Sequence, residues 1–259
     1  MCGRFVSASP PDELARYFQA AQPDHDLEAN YNVAPTAEVY AVRAADGHRQ
    51  LTTLRWGLVP FWAKEAKVGA KMINARAESL LDKPAFRNAV RRHRCLVPAD
   101  GFYEWAKVAG HKTKQPYFIY RPDGEPLVFA GLWERWRGPG PDGAEQSLET
   151  CAIVTCGANA TMSAVHDRMP VLLAPADWDR WLDPAAGDDP AELDRLAGLL
   201  VPAPDNLLAL RPITTAVNRV SNNGPELLEP EPEPLAPERS TGAAANSAGV
   251  PEPPDGSPR

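Results

Sequence analysis

Between residues 94 and 155 the chain is cut into short β-forming runs, at 94–98, 101–106, 116–121, 127–132 and 150–155, separated by turn-forming residues such as Pro122-Asp123-Gly124. Strands this short and closely spaced pair antiparallel with their neighbours, because a parallel βαβ array needs a helical crossover between successive strands. Two more β-like runs, 38–43 and 50–56, precede the block. Helices are expected on either side of it. Ser9-Pro10-Pro11-Asp12-Glu13 opens a helix over 11–21 with Leu14, Tyr17 and Phe18 on one face, and Asp189, Pro190 and Glu192 open another over 190–200. A further helix is expected near 175–182, and 74–92 reads as helical with a break at Pro84. The fold class expected is α+β: one domain, residues 1–228, with a largely antiparallel or mixed β-sheet core flanked by helices, followed by a disordered acidic tail over 229–259.

Charge supports that division. The 259 residues carry a formal net charge of -7, which by itself argues against nucleic acid. The average conceals a gradient: residues 225–259 hold seven acids, two bases and nine prolines, too little apolar surface to offset chain entropy. Within residues 55–94, by contrast, ten bases (Arg55, Lys64, Lys67, Lys71, Arg76, Lys83, Arg87, Arg91, Arg92 and Arg94) face three acids. Such a segment is either a solvated helix surface or a phosphate-binding track.

Several motifs fail. Gly138, Gly140 and Gly143 spell G-x-G-x-x-G, but Pro139, Pro141 and Asp142 fill its gaps, so a loop is expected rather than a nucleotide-binding turn. The five histidines have no partners at metal-ligand spacing, and neither a metal nor a cofactor is expected. His93 and Cys95 read as strand alternation. Cys2, Cys95, Cys151 and Cys156 contain no C-x-x-C pair and are expected as reduced thiols. No apolar run reaches the ~18 to 20 residues that span a bilayer, and Arg4 interrupts any leader, so a cytoplasmic location without membrane contact is expected.

Cys2 is the informative cysteine. Removal of Met1 would leave it with a free α-amine as well as a thiol. An α-amine has a pKa of about 7.7–8.0, so near neutral pH an appreciable fraction is an uncharged nucleophile. A primary amine condenses with an aldehyde to an imine, and a thiol two carbons from that nitrogen closes a five-membered thiazolidine on the same carbon. The plain alternative is an incidental cysteine near a frayed terminus.

The neighbourhood of Cys2 resembles the abasic-site processing proteins that carry the SOS-response-associated peptidase domain. Six motifs carry the resemblance, in family order: Met1-Cys2-Gly3-Arg4-Phe5; Tyr31-Asn32-Val33-Ala34-Pro35; Trp56-Gly57-Leu58-Val59-Pro60 with Phe61-Trp62; Ile73-Asn74-Ala75-Arg76-Ala77-Glu78; Cys95 to Trp105, ending Gly101-Phe102-Tyr103-Glu104-Trp105; and His166-Asp167-Arg168-Met169-Pro170. Asn218, Asn222 and Asn223 agree with it. The acidic tail falls outside it.

The resemblance implies recognition of abasic sites in single-stranded DNA and covalent attachment through the mature Cys2, shielding the lesion from strand cleavage. It implies that Cys2 is the nucleophile, amine first and sulfur second. Glu104 would be the acid/base that opens the closed sugar, Asn74 would position that sugar, and His166 would stabilise it and assist proton transfer. Arg4 and Arg76 match positions that meet the DNA backbone, and Phe61 and Trp62 an aromatic pair beside it. It also implies Schiff-base, lyase-like chemistry, a peptidase activity confined to Met1, a monomer, and work at the nucleoid near replication in an SOS response. Each residue keeps a plainer alternative: a cap for Asn74, a structural histidine for His166, an outward strand residue for Glu104, core for Phe61 and Trp62.

Two rival functions are weighed. Class II glutamine amidotransferases also begin Met-Cys-Gly, but the chain lacks their Asn-Gly-Glu and Arg-Gly-Pro-Asp arrangements, Arg137-Gly138-Pro139-Gly140 only grazing the second. A non-covalent single-strand binding module would leave Cys2 without a role.

Overall fold

The structure, a computed structural model, describes residues 2–45, 47–140 and 142–235. In chain order its strands are β1 (Phe5–Ser7), β2 (Ala20–Ala21), β3 (Asn30–Val33), β4 (Glu38–Ala45), β5 (His48–Trp56), β6 (Asn74–Arg76), β7 (Arg94–Ala99), β8 (Gly101–Ala106), β9 (Gln115–Tyr120), β10 (Leu127–Pro139), β11 (Glu145–Gly157), β12 (Arg168–Pro170) and β13 (Ala209–Pro212). The helices are short: α1 (Pro11–Phe18), α2 (Ala89–Arg92), α3 (Ala160–Ser163), α4 (Trp178–Leu182) and α5 (Pro190–Gly198). The fold is α+β, rich in sheet, as the pattern of short runs predicts.

Two sheets share one core. In the larger, neighbours run β11-β10-β7-β4-β5, and β5 returns to β11 in parallel at Thr150↔Arg55 and Cys151↔Trp56. The sheet therefore closes on itself, and these strands have no open edge between them. The second sheet, β13-β9-β8-β1-β3, lies against it. Phe5 of β1 makes edge-on contacts with Trp56 at 5.0 Å and Phe129 at 5.9 Å, and Phe102 of β8 meets Phe129 at 6.0 Å. All four rings are fully buried, so the start of the chain is built into the core rather than frayed.

Where local pattern and tertiary pairing agree, elements fall where expected. The β4–β5 hairpin pairs from Glu38↔Arg55 to Ala45↔His48, and β8 matches the 101–106 run. Of the three glycines at 138–143, Gly138 is still in β10, paired with Gln146, while Gly140 and Gly143 lie in the turn of the β10–β11 hairpin, Gly143 at φ +81. Helix α1 stops earlier than expected because Gln19 turns left-handed at φ 50, which lets Ala20–Ala21 pair with β5.

The helix expected over 74–92 is not formed and is the main correction. Asn74–Arg76 is a strand lying parallel to β11, residues 77–79 form a 3-10 turn, and only Ala89–Arg92 is α-helical. Pairing with β11 supplies the hydrogen bonds a helix would have made, so the helix-favouring composition is overridden. The basic segment divides accordingly. Arg94 is buried and donates to the carbonyls of Val90, Arg91, Trp181 and Asp183. Burial lowers its guanidinium pKa to about 10. Arg92 pairs with Asp188 at 2.8 Å. These two bases hold the fold instead of extending a phosphate track.

Between β5 and β6 the backbone doubles back at two glycines. Gly57 has φ +127, and a Cβ there would sit 2.7 Å from the Gly69 carbonyl oxygen. A Cβ on Gly69 would sit 2.4 Å from the Gly57 oxygen. Trp136 pins the same loop by donating from Nε1 to the Ala63 carbonyl at 2.7 Å. Past Leu228 the chain still contacts the second sheet: the Glu231 N–H donates to the Pro212 carbonyl, and the Leu235 N–H to Gln115 Oε1 at 3.1 Å. The ordered contacts thus run to Leu235, into the segment expected as tail, and residues 236–259 lie outside the described residues.

Candidate active site

Strand alternation sorts β8 into two faces. Phe102 and Ala106 belong to the main core while Tyr103 packs with Val6, Phe118, Ile213 and Val217 on the reverse, so Glu104 shares the core-facing side with Phe102. It is 4% exposed. Strand β1 pairs with β8 at Phe5↔Phe102, and the Tyr103 N–H donates to the Arg4 carbonyl at 2.9 Å. The residues just before β1 are thereby carried towards Glu104.

Cys2 is fully buried. Burial pushes its thiol well above the usual range, and the Glu104 carboxylate adds to the effect. The thiol is therefore protonated at neutral pH, and thiolate chemistry is not its resting mode. Asn74 Nδ2 donates to the Cys2 carbonyl at 2.7 Å, fixing the backbone at Cys2. Asn74 Oδ1 is buried and has no hydrogen-bond partner among the described residues. The parallel pairing Ile153↔Asn74 sets that geometry, so Asn74 is a strand residue, not a helix cap.

His166 follows α3 and precedes β12, which pairs with β11 at Gly157↔Arg168. Its Nδ1 accepts from the Arg168 N–H at 3.0 Å and lies 2.8 Å from Asp167 Oδ1. The segments bearing Asn74 and His166 are joined by an ion pair: Arg168 reaches Glu78 with both terminal nitrogens, at 3.1 and 2.9 Å. That contact draws the Glu78 carboxyl below its ordinary range.

Of the residues expected to meet DNA, Arg76, Phe61 and Trp62 are exposed, the last two by 56% and 53%. Trp62 borders a shallow pocket of about 160 Å³ lined by Pro60, Ala63, Val68 and Met72, on the loop that leads into Asn74. Neither aromatic is core. Arg4 is half-buried, and its guanidinium is engaged with Asn32 Oδ1 at 2.7 Å and the Val217 carbonyl at 3.1 Å. Asn32, 2% exposed, in turn donates to the carbonyls of Arg219 and Asn222 at 3.0 and 2.9 Å. Trp105 Nε1 donates to Asn218 Oδ1 at 2.7 Å, so the loop after β13 is fastened behind Glu104.

Sequence reasoning assigned no separate role to Asn32, Glu78 or Arg168. Each stands inside one of the six motifs, but its partner is far away in sequence and only the fold supplies it. Among the described residues no group of three or more His, Cys, Asp or Glu side chains is arranged to hold a metal ion, and no helix is long and apolar enough to cross a membrane.

In this single α+β domain Cys2 is buried near the Glu104 carboxylate, with Asn74 clamped on its carbonyl, and the chain as a whole has counterparts among known proteins. The chain belongs to the SOS response associated peptidase (SRAP) family, whose family model matches residues 1–220. Abasic site processing protein YoqW of Bacillus subtilis is 40% identical over 231 residues, covering 88% of this chain and 99% of that protein. YedK of Escherichia coli, also named an abasic site processing protein, is 34% identical over 236 residues, covering 89% and 100%. HMCES of Gallus gallus is 34% identical over 210 residues, 72% of this chain and 59% of that protein. A crystal structure of a protein from Bacteroides thetaiotaomicron superposes with a TM-score of 0.77 at 26% identity, over 89% of this chain and all of that one.

Proposed function

We propose that this protein processes abasic sites in DNA, taking the lesion in single-stranded DNA and joining itself to it covalently through Cys2. The reading is supported by the names of its relatives and carried by one observation. Cys2 is a fully buried amino-terminal cysteine, its carbonyl held by Asn74 and its thiol under the influence of the Glu104 carboxylate. An incidental cysteine at a chain end would be neither buried nor clamped.

Hydrolysis of the Met1–Cys2 amide, the peptidase step, frees the Cys2 amine. Glu104 then takes the proton of the anomeric hydroxyl and returns it to the ring oxygen as the C1′–O4′ bond breaks, so the closed sugar opens to an aldehyde at C1′. The amine adds to C1′ and water leaves, giving an imine. The Cys2 sulfur adds to the same carbon while its proton passes to nitrogen, giving a thiazolidine; the overall reaction of aldehyde with aminothiol releases one water. A thiol kept protonated by burial suits this order, since the amine attacks first and the sulfur only closes the ring. Asn74 Oδ1 offers an acceptor to a sugar hydroxyl, and His166 carries protons to and from the sugar. Arg76 contacts phosphate, Arg4 is braced against Asn32, and Phe61 and Trp62 offer stacking faces that tolerate any base.

Intact mass spectrometry of the protein mixed with an abasic single-stranded oligonucleotide tests the reading. A one-to-one adduct lacking Met1 and stable to denaturant is expected, and Cys2→Ala or a tag ahead of Cys2 abolishes it. An adduct of unchanged yield with Cys2→Ala would sink the covalent reading. Equal binding to intact strands with no adduct would favour a simple binding module instead.

A further inference from the structure

The Glu78–Arg168 pair does more than decorate the surface. Thr155 of β11 is paired on one side with Arg76 of β6 and on the other with Pro170 of β12, so β11 separates the strand of Asn74 from the strand that follows His166. Arg168 bridges them. Its two terminal nitrogens meet the two Glu78 oxygens, and Nη2 also donates to the Thr155 carbonyl at 2.8 Å. A two-pronged guanidinium–carboxylate contact fixes orientation as well as distance. The Arg168 side chain is only 15% exposed, so the strand beneath holds it in place. The backbone N–H of the same residue donates to His166 Nδ1.

That last bond needs a lone pair on Nδ1, so in the neutral ring the proton stands on Nε2. The Asp167 carboxylate, on the same nitrogen, attracts a proton there instead. Which hydrogen bond prevails depends on where the Arg168 backbone sits. Resting on the abasic-site reading above, we propose that Glu78 is a positioning residue: through Arg168 it registers the Asn74 strand against the His166 segment and keeps neutral His166 protonated on Nε2. Glu78 is ionised at neutral pH because Arg168 holds its carboxyl below the usual range, so the clamp is closed under working conditions. Glu78 itself touches no reacting atom.

The test compares wild type, Glu78→Ala and Glu78→Gln in three measurements: adduct formation at saturating abasic single strand, affinity for that strand, and the ring-nitrogen NMR signals of His166, identified by their loss in His166→Gln. Glu78→Ala is expected to slow adduct formation about tenfold, as small misplacements of reacting groups do. Affinity should stay within about twofold of wild type, as for a surface change away from the ligand. Glu78→Gln, which keeps one acceptor for Arg168, falls between, and His166 loses its single Nε2–H form in Glu78→Ala. Glu65→Ala, which removes the exposed partner of Lys67, changes neither rate nor ring. An unaltered rate and ring state in Glu78→Ala would overturn the proposal. So would tighter binding at an unaltered saturating rate, since Glu78 would then act only by repelling phosphate. If wild type itself forms no adduct, the abasic-site reading falls, and the His166 signals still decide the clamp: an Nε2–H form retained in Glu78→Ala refutes it.

Discussion

Asn74→Ala is the most direct probe of how the fold positions Cys2 for the proposed reaction. The substitution removes the 2.7 Å bond from Nδ2 to the Cys2 carbonyl and leaves that oxygen without its donor beside a fully buried residue. Such a loss costs about 1–3 kcal/mol. Expressed wholly as misplacement of Cys2 in the reacting geometry, it slows adduct formation about 5- to 150-fold, at roughly 1.4 kcal/mol per decade. The effect on global stability is smaller, because β1 begins at Phe5 and stays paired with β3 and β8 when the preceding residues loosen. Each kcal/mol fully coupled to unfolding would lower the melting temperature by about 2–4 °C in a domain of this size, and the observed drop should fall short of that scale applied to the full cost of the bond. Asn74→Asp sharpens the test. It places an acceptor where the donor stood, facing the carbonyl, and should be slower than Asn74→Ala although it keeps the shape. Time courses of the intact-mass adduct with excess abasic oligonucleotide report both variants. Wild-type rates in Asn74→Ala, or an Asn74→Asp protein faster than Asn74→Ala, would refute the argument that this bond sets the position of Cys2.

Other consequences are equally accessible. Gly57→Ala forces a side chain onto backbone at φ +127 and against the Gly69 oxygen, so thermal melting should show a loss of about 1–3 kcal/mol; an unshifted transition would mean that the loop does not need the close approach. Trp62→Ala, at an exposed position, should leave melting unchanged while weakening single-strand affinity by about 1–3 kcal/mol for one lost stacked base, and a stability loss without an affinity loss would return Trp62 to a structural role. Because Arg168 depresses the Glu78 carboxyl in the folded state, the pair contributes stability above the ordinary glutamate range that disappears as pH falls through the lowered folded value. The gap between the denaturant midpoints of wild type and Arg168→Met should therefore narrow in acid, below about pH 4, to what the pH-independent bond from Arg168 to the Thr155 carbonyl contributes. Curves that stay parallel to pH 2 would show that the ion pair contributes nothing.

Much of the architecture was legible locally. The 101–106 strand that carries Glu104, the 38–56 hairpin and the Pro122-Asp123-Gly124 turn, where Gly124 has φ +81, depend on residues within a few positions of one another. The same holds for the starts of α1 and α5, set by Pro11 and by the Asp189 side chain on the Ala191 N–H. The chemistry open to Cys2 follows from its residue type, whereas its complete burial does not.

What could not be read is what depends on contacts between distant residues. Ala75, Arg76, Ala77 and Glu78 favour a helix in any short window, and only the pairing of 74–76 with 153–155 makes them strand and turn. The basic segment looked uniform, yet Arg92 and Arg94 serve the 181–188 region while Arg76 remains exposed, because charge in a sequence carries no direction. The six motifs contain Cys2, Glu104, Asn74 and His166 without saying how they meet. The alternation that turns Glu104 inward and the bond from Asn74 to the Cys2 carbonyl bring three of them together, and the Arg168–Glu78 pair ties the His166 segment to the Asn74 strand. A residue's chemistry is intrinsic to its type and to its place at the terminus; its burial, partners and register exist only once distant segments of the chain have packed.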